Sequence, residues 1–155
     1  MSNNLGKDST CSIARALDVV GDTWTLLIVR DAMIEGSTRF QEFRDGLGIA
    51  PNILAKRLVA LVDAGVMARR SYREAGARVR EEYVLTESGR SLSLVVGALA
   101  TWGRSYLPHP DGTSPRFTAE GSGTQAQPAF VTGDGDRIPP GRMIAHRVPD
   151  LQTAS

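Results

Sequence analysis

Residues 37–65 read STRFQEFRDGLGIAPNILAKRLVALVDAG, two helical patterns set back to back. In the first, which follows Ser37-Thr38, Phe40, Phe43 and Leu47 fall at a spacing that buries one side, and Gly46 and Gly48 are expected to break it. The second begins at Pro51, a good first-turn residue because its missing amide hydrogen would lack an intrahelical partner anyway. Leu54, Leu58 and Leu61 form its inner stripe. At about 100° per residue, Asn52, Lys56, Val59 and Asp63 land near the opposite side and point away from the core. Gly65 ends the pattern.

Upstream, Ser12 can cap a helix whose apolar positions Ile13, Ala16, Leu17 and Val20 repeat at helical spacing, with Gly21 as its end. Asp22 or Thr23 starts another, closed by Gly36, in which Trp24, Leu26, Leu27, Ile28 and Val29 form a belt too broad for one stripe. Such a helix belongs in the centre of a core. Downstream the period changes. Residues 66–73 and 79–85 are strand-like runs joined by Glu74-Ala75-Gly76-Ala77-Arg78, a hairpin tip. Within residues 66–80 stand Arg69, Arg70, Arg73, Arg78 and Arg80 against Glu74 alone. Thr86 then caps a long helix carrying Leu92, Val95, Val96, Leu99, Trp102 and Tyr106, which extends past the small module before it and so points to packing against a partner.

The whole chain of 155 residues has 41% apolar and 23% charged residues, as soluble globular proteins do. Its net charge of +1 gives no global field, so any nucleic-acid role must come from local placement of charge. One cysteine closes no intrachain disulfide and builds no Cys-rich zinc site. No apolar run approaches the roughly 18–20 residues of a membrane span, and the expected location is cytoplasmic. Proline separates two parts: one before residue 108, seven in the last 48 residues, where six glycines join them. The expected organisation is a loose arm at 1–10, a folded domain at 11–107 and a Pro/Gly-rich extension at 108–155. In that extension, Ala129-Phe130-Val131-Thr132, Ile138 and Met143-Ile144-Ala145 are either short strands or apolar patches on the body.

This order of elements describes a mainly α fold with a small β-hairpin (α+β): a winged helix-turn-helix, a long C-terminal dimerisation helix and an irregular extension. The helix pair in 37–65 would place its second helix in the major groove of double-stranded DNA, with its first turns at base edges. Asn52 suits adenine, and Lys56 suits guanine or a phosphate. Arg73, Arg78 and Arg80 would lie on neighbouring phosphates or in the minor groove, supplying affinity with little sequence information. Ser37, Thr38, Arg39 and Pro51 complete the expected DNA-contacting set. Arg57, some 60° from the inner stripe, either touches DNA or supports the hairpin or a neighbouring acid. The alternatives are ordinary ones: Asn52 and Lys56 as solvated helix residues, and the arginines as a solvated strand pair. Trp24, Phe40, Phe43 and Trp102 read most simply as core or dimer packing.

The sequence also resembles a family. Residues 11–17 (CSIARAL), 21–31 (GDTWTLLIVRD), 39–43 (RFQEF), 54–58 (LAKRL), 82–86 (EYVLT) and Gly89-Arg90 are similar, in order, to the HxlR-type bacterial transcription regulators. The resemblance implies a homodimer on a pseudo-palindromic operator, repressing or activating in response to a chemical signal. Many relatives have Ser where this chain has Ala50, and a missing hydroxyl cap costs about 1 kcal/mol of helix stability. Some relatives with a cysteine matching Cys11 sense oxidants or electrophiles with it, by thiol modification or an intersubunit disulfide. Helix-end amides and nearby Arg15 would favour the thiolate. The other reading makes Cys11 a small hydrophobe filling space. A small-molecule effector is the other class of signal, and a cavity between the long helix and the Trp24 helix is where one would sit.

Two other function classes compete. An enzyme lacks support: no Gly-rich phosphate loop or nucleophile elbow is present, neither His109 nor His146 has a partner at diagnostic spacing, and no catalytic residue, cofactor or metal site is expected. A winged-helix protein-interaction module without DNA binding would not need the arginines.

Overall fold

The structure is a computed structural model that describes residues 8–146. Residues 1–7 of the expected arm and 147–155 of the expected extension lie outside the described residues. The chain forms two compact units that divide between Val96 and Gly97. Proline content changes later, near residue 108, so the packing boundary and the composition boundary are different places.

Among the described residues, the first unit is built from five helices, a hairpin and the first turn of a sixth helix. α1 spans Ser12–Val20, with Cys11 rather than Ser12 in the cap position and Gly21 at its end. Of its apolar stripe only Val20 is buried, while Ile13 and Leu17 face outward. α2, Thr23–Ile34, starts where the Asp22 carboxylate accepts hydrogen bonds from the backbone N–H groups of Trp24 and Thr25 at 2.9 and 3.3 Å. Ile28 and Val29 are fully buried, which makes α2 the central helix that its apolar belt suggests.

α3, Phe40–Leu47, runs through Gly46, where the sequence pattern predicts a break. The reason is packing. A Cβ at Gly46 would sit 3.3 Å from Oδ2 of the buried Asp31, so glycine makes room inside a continuing helix. Gly48 does end α3, at φ 62° in the left-handed region. Buried Ile49 then anchors the turn into α4, Pro51–Asp63. Leu54, Leu58 and Leu61 are sealed against Phe43, Ile28 and Val29 in one core, each worth about 2–5 kcal/mol against alanine.

β1, Met67–Tyr72, pairs antiparallel with β2, Arg80–Leu85, in a register that sets Met67 opposite Leu85 and Tyr72 opposite Arg80. Thr86 caps the next helix through Gly89 N–H, as expected, but that helix is short: α5 spans Glu87–Ser91. The long helix is interrupted at Leu92, whose N–H bonds back to the Gly89 carbonyl at 3.2 Å, and Ser91 Oγ donates to the Ser88 carbonyl. α6, Ser93–Tyr106, follows.

In the second unit, Gly97 leaves space that Pro128 fills, since a Cβ there would lie 2.9 Å from its Cγ. Among the described residues, two small hairpins occupy the extension. β3, Phe117–Thr118, pairs with β4, Gln125–Ala126, and β5, Phe130–Val131, with β6, Arg137–Ile138. The Phe130 and Ile138 patches are thus short strands; Met143-Ile144-Ala145 is not. Among the described residues no helix is long and apolar enough to cross a membrane.

Candidate nucleic-acid interface

The helix pair α3–α4 and the β1–β2 hairpin meet at the entry of α3. Glu42 Oε2 accepts the backbone N–H groups of Thr38 and Arg39 at 2.8 and 2.9 Å, the reaching-back half of a capping box. Those two hydrogen bonds hold the Glu42 carboxyl below the ordinary carboxylate range, and the Arg39 charge adds to them. The Thr38 carbonyl accepts the Tyr83 N–H at 2.7 Å, which ties β2 to the helix pair. Arg39 spans the same junction: Nη2 bonds Glu74 Oε1 at 2.7 Å in the hairpin tip, and its guanidinium lies 4.8 Å from the Tyr72 ring centre. Arg39, expected at DNA, here also bridges to the hairpin tip. Ser37 sits beside it, its N–H donating to the Asp31 carbonyl.

α4 presents the other part. Pro51, Asn52 and Lys56 are exposed, as is Val59, on the side away from the three core leucines. Ala50 holds the cap position with no side-chain hydrogen bond, and its carbonyl accepts from Leu54 N–H at 3.0 Å. Arg57 turns back. Its Nε lies 3.1 Å from Asp22 Oδ2, an ion pair whose geometry falls short of a hydrogen bond. Among the described residues, the side chains of Asn52 and Lys56 hold no ion pair or hydrogen bond.

The hairpin carries less free charge than the 66–80 window suggests. Arg69 pairs with Glu81 at 3.5 Å and Arg70 with Glu82 at 2.8 Å, both across the ladder. Arg73 Nε bonds the Ala77 carbonyl, closing a tip where Gly76 takes φ 76°. Arg78 and Arg80 are exposed and, among the described residues, their side chains hold no partner. The cation supply is therefore concentrated at the tip. Sequence reading misses Glu74, Glu81 and Glu82 as partners; Glu42, three residues after Arg39, carries the capping-box spacing that could have revealed its role.

An exposed polar helix face flanked by a basic hairpin is the geometry of a winged helix-turn-helix. A family model described as HxlR-like helix-turn-helix matches residues 19–111. The chain belongs to that family. It is 39% identical over 128 residues to the uncharacterised HTH-type transcriptional regulator Rv3095 of Mycobacterium tuberculosis, covering 82% of this chain and 79% of that protein. Among solved structures, PA1607, described as a candidate transcription factor, is 40% identical with a TM-score of 0.76, over 92% of this chain and 98% of that one. The redox regulator HypR in its reduced form is 33% identical with a TM-score of 0.54, over 61% and 92%. This HxlR-like chain is a transcriptional regulator with a helix-turn-helix fold.

The residues expected at a dimer contact fall into two sets. Val96 is buried in its own chain and Leu92 is half-buried. Val95, Leu99, Trp102 and Tyr106 share one exposed face of α6, the last two with ring centres 5.6 Å apart. Cys11 is exposed at the start of α1. Among the described residues no group of His, Cys, Asp and Glu is placed to hold a metal ion.

Proposed function

We propose that this HxlR-like chain acts as a homodimer that reads a pseudo-palindromic operator through Asn52 and Lys56 of α4, with Arg73, Arg78 and Arg80 gripping the flanking backbone. One observation carries the reading: Asn52 and Lys56 stand exposed on α4 directly behind the sealed leucine face, so the helix is held rigidly while its polar side stays open. The apolar face of α6 supports the dimer, since four large side chains on one helix side are left in water by a lone subunit. Pro51 lies at the same end of α4 as Asn52, while Ser37, Thr38, Arg39 and Arg57 act as the frame that sets its angle.

Binding to duplex DNA measured against salt tests this. Reversing Arg73 and Arg78 to Glu should weaken binding to every sequence and flatten the salt slope by about 2, one unit for each phosphate that is no longer neutralised. Unchanged affinity removes the wing from the interface. No shift of any duplex at low salt, together with a tight protein partner, would favour the interaction-module reading.

For the signal, exposed Cys11 and the similarity to the redox regulator HypR support thiol oxidation, and with one cysteine per chain a disulfide would join two subunits. Cys11→Ser should then abolish an oxidant response while leaving DNA affinity intact. A response that survives the substitution excludes the thiol.

A further inference from the structure

A cleft of about 330 Å³ lies in the first unit between the end of α2 (Ala32, Met33), the Ser37-Thr38 turn, β2 (Val84, Leu85) and Arg90 of α5. Its volume is at the lower end of the roughly 300–1,000 Å³ that ligand pockets occupy. The walls are chiefly apolar, and among the described residues that line it Arg90 is the one that is charged. Arg90 Nη1 donates to the Leu85 carbonyl at 2.9 Å, which fixes the guanidinium at the cleft. Among the described residues no carboxylate pairs with it. An apolar hollow with one fixed, unneutralised cation is complementary to a small molecule with a compact apolar body and a single carboxylate.

We propose that this cleft binds a small apolar carboxylate, its body against Met33, Val84 and Leu85 and its anion on Arg90. Occupancy acts on the wing. Thr38 and Tyr83 both line the cleft, and the Tyr83 N–H to Thr38 carbonyl bond is a backbone tie between β2 and the entry of α3. A ligand wedged between those elements changes that bond and with it the angle at which the wing meets DNA. The regulatory half rests on the DNA-binding reading above; the binding half does not.

The test titrates the full-length, isotope-labelled protein, without DNA, with benzoate, phenylacetate and octanoate, and with benzamide as an uncharged match for benzoate. At least one carboxylate should shift the Met33, Val84 and Leu85 methyl resonances saturably. Benzamide, and the Arg90→Gln variant, should bind about tenfold more weakly, the worth of one charge-assisted hydrogen bond. The Tyr83 amide resonance should move in step with the methyls. Absence of methyl shifts with all three carboxylates overturns the site, as does a saturable benzoate response that benzamide matches. That comparison needs only the native chain, so it decides even if Arg90→Gln does not fold. Methyl shifts with a stationary Tyr83 amide overturn the coupling to the wing. Duplex binding measured without these compounds reports separately on the DNA-binding reading.

Discussion

Arg57 Nε lies 3.1 Å from Asp22 Oδ2, and the same Asp22 carboxylate caps α2 and accepts the Thr25 hydroxyl at 2.6 Å. One carboxylate thus joins the outward helix α4 to the start of the central helix. On the proposed DNA-binding reading, this pair would make Arg57 act through the pose of α4 rather than through a phosphate.

Two substitutions separate those roles. Asp22→Ala should cost about 1–2 kcal/mol of stability by removing the cap. Arg57→Ala should cost at most about 1 kcal/mol, because the pair is partly solvated. In a salt titration of duplex binding, Arg57→Ala should keep the native slope. A slope lower by about 1 would mark a direct phosphate contact.

Glu42 gives the fold a pH dependence. Its carboxyl is held below the ordinary value near 4.5 by the Thr38 and Arg39 backbone N–H groups. A carboxyl depressed on folding adds stability that is present above the unfolded pKa and is lost as pH falls through the folded one. Denaturant unfolding of the native protein and Glu42→Gln should therefore differ near pH 6, with the gap narrowing as pH falls below about 4.3 and closing once Glu42 is protonated in the folded state. A gap that persists in acid would assign Glu42 a role other than its charge.

Gly89 is buried where a Cβ would press into the Val66 carbonyl oxygen and lie 3.0 Å from a Leu85 methyl. In an open helix, Gly→Ala stabilises by up to about 1 kcal/mol. Here the sign reverses, and Gly89→Ala should destabilise by about 2–3 kcal/mol through overpacking against the backbone. Thermal unfolding of the variant checks this; a raised midpoint would mean that α5 is not seated on Val66.

What can be read in the sequence follows from how local the cause is. The leucine stripe of α4 and its polar reverse depend only on helical period, and both are found in place. Gly48 and Gly65 end their helices because positive φ is a local requirement. Gly46 misleads because its cause is a neighbour fifteen positions back, the buried Asp31. The Leu92 interruption is hidden because the apolar spacing continues across it, while the break is a tightened turn in which Leu92 N–H bonds the Gly89 carbonyl. At the wing, five arginines look free because Glu81 and Glu82 sit just beyond the run, and only the strand register sets them beside Arg69 and Arg70. Arg39 shows the same limit: its partner Glu74 is 35 residues away.

The central claim is that α4 reads bases through Asn52. The direct measurement compares native protein and Asn52→Ala on two duplexes, one selected by the native protein from a random pool and one of scrambled sequence. Affinity for the selected duplex should fall about tenfold to a hundredfold, the worth of one bidentate base pairing, with the scrambled duplex changed by less than about twofold. Equal weakening on both duplexes would contradict base reading by this helix.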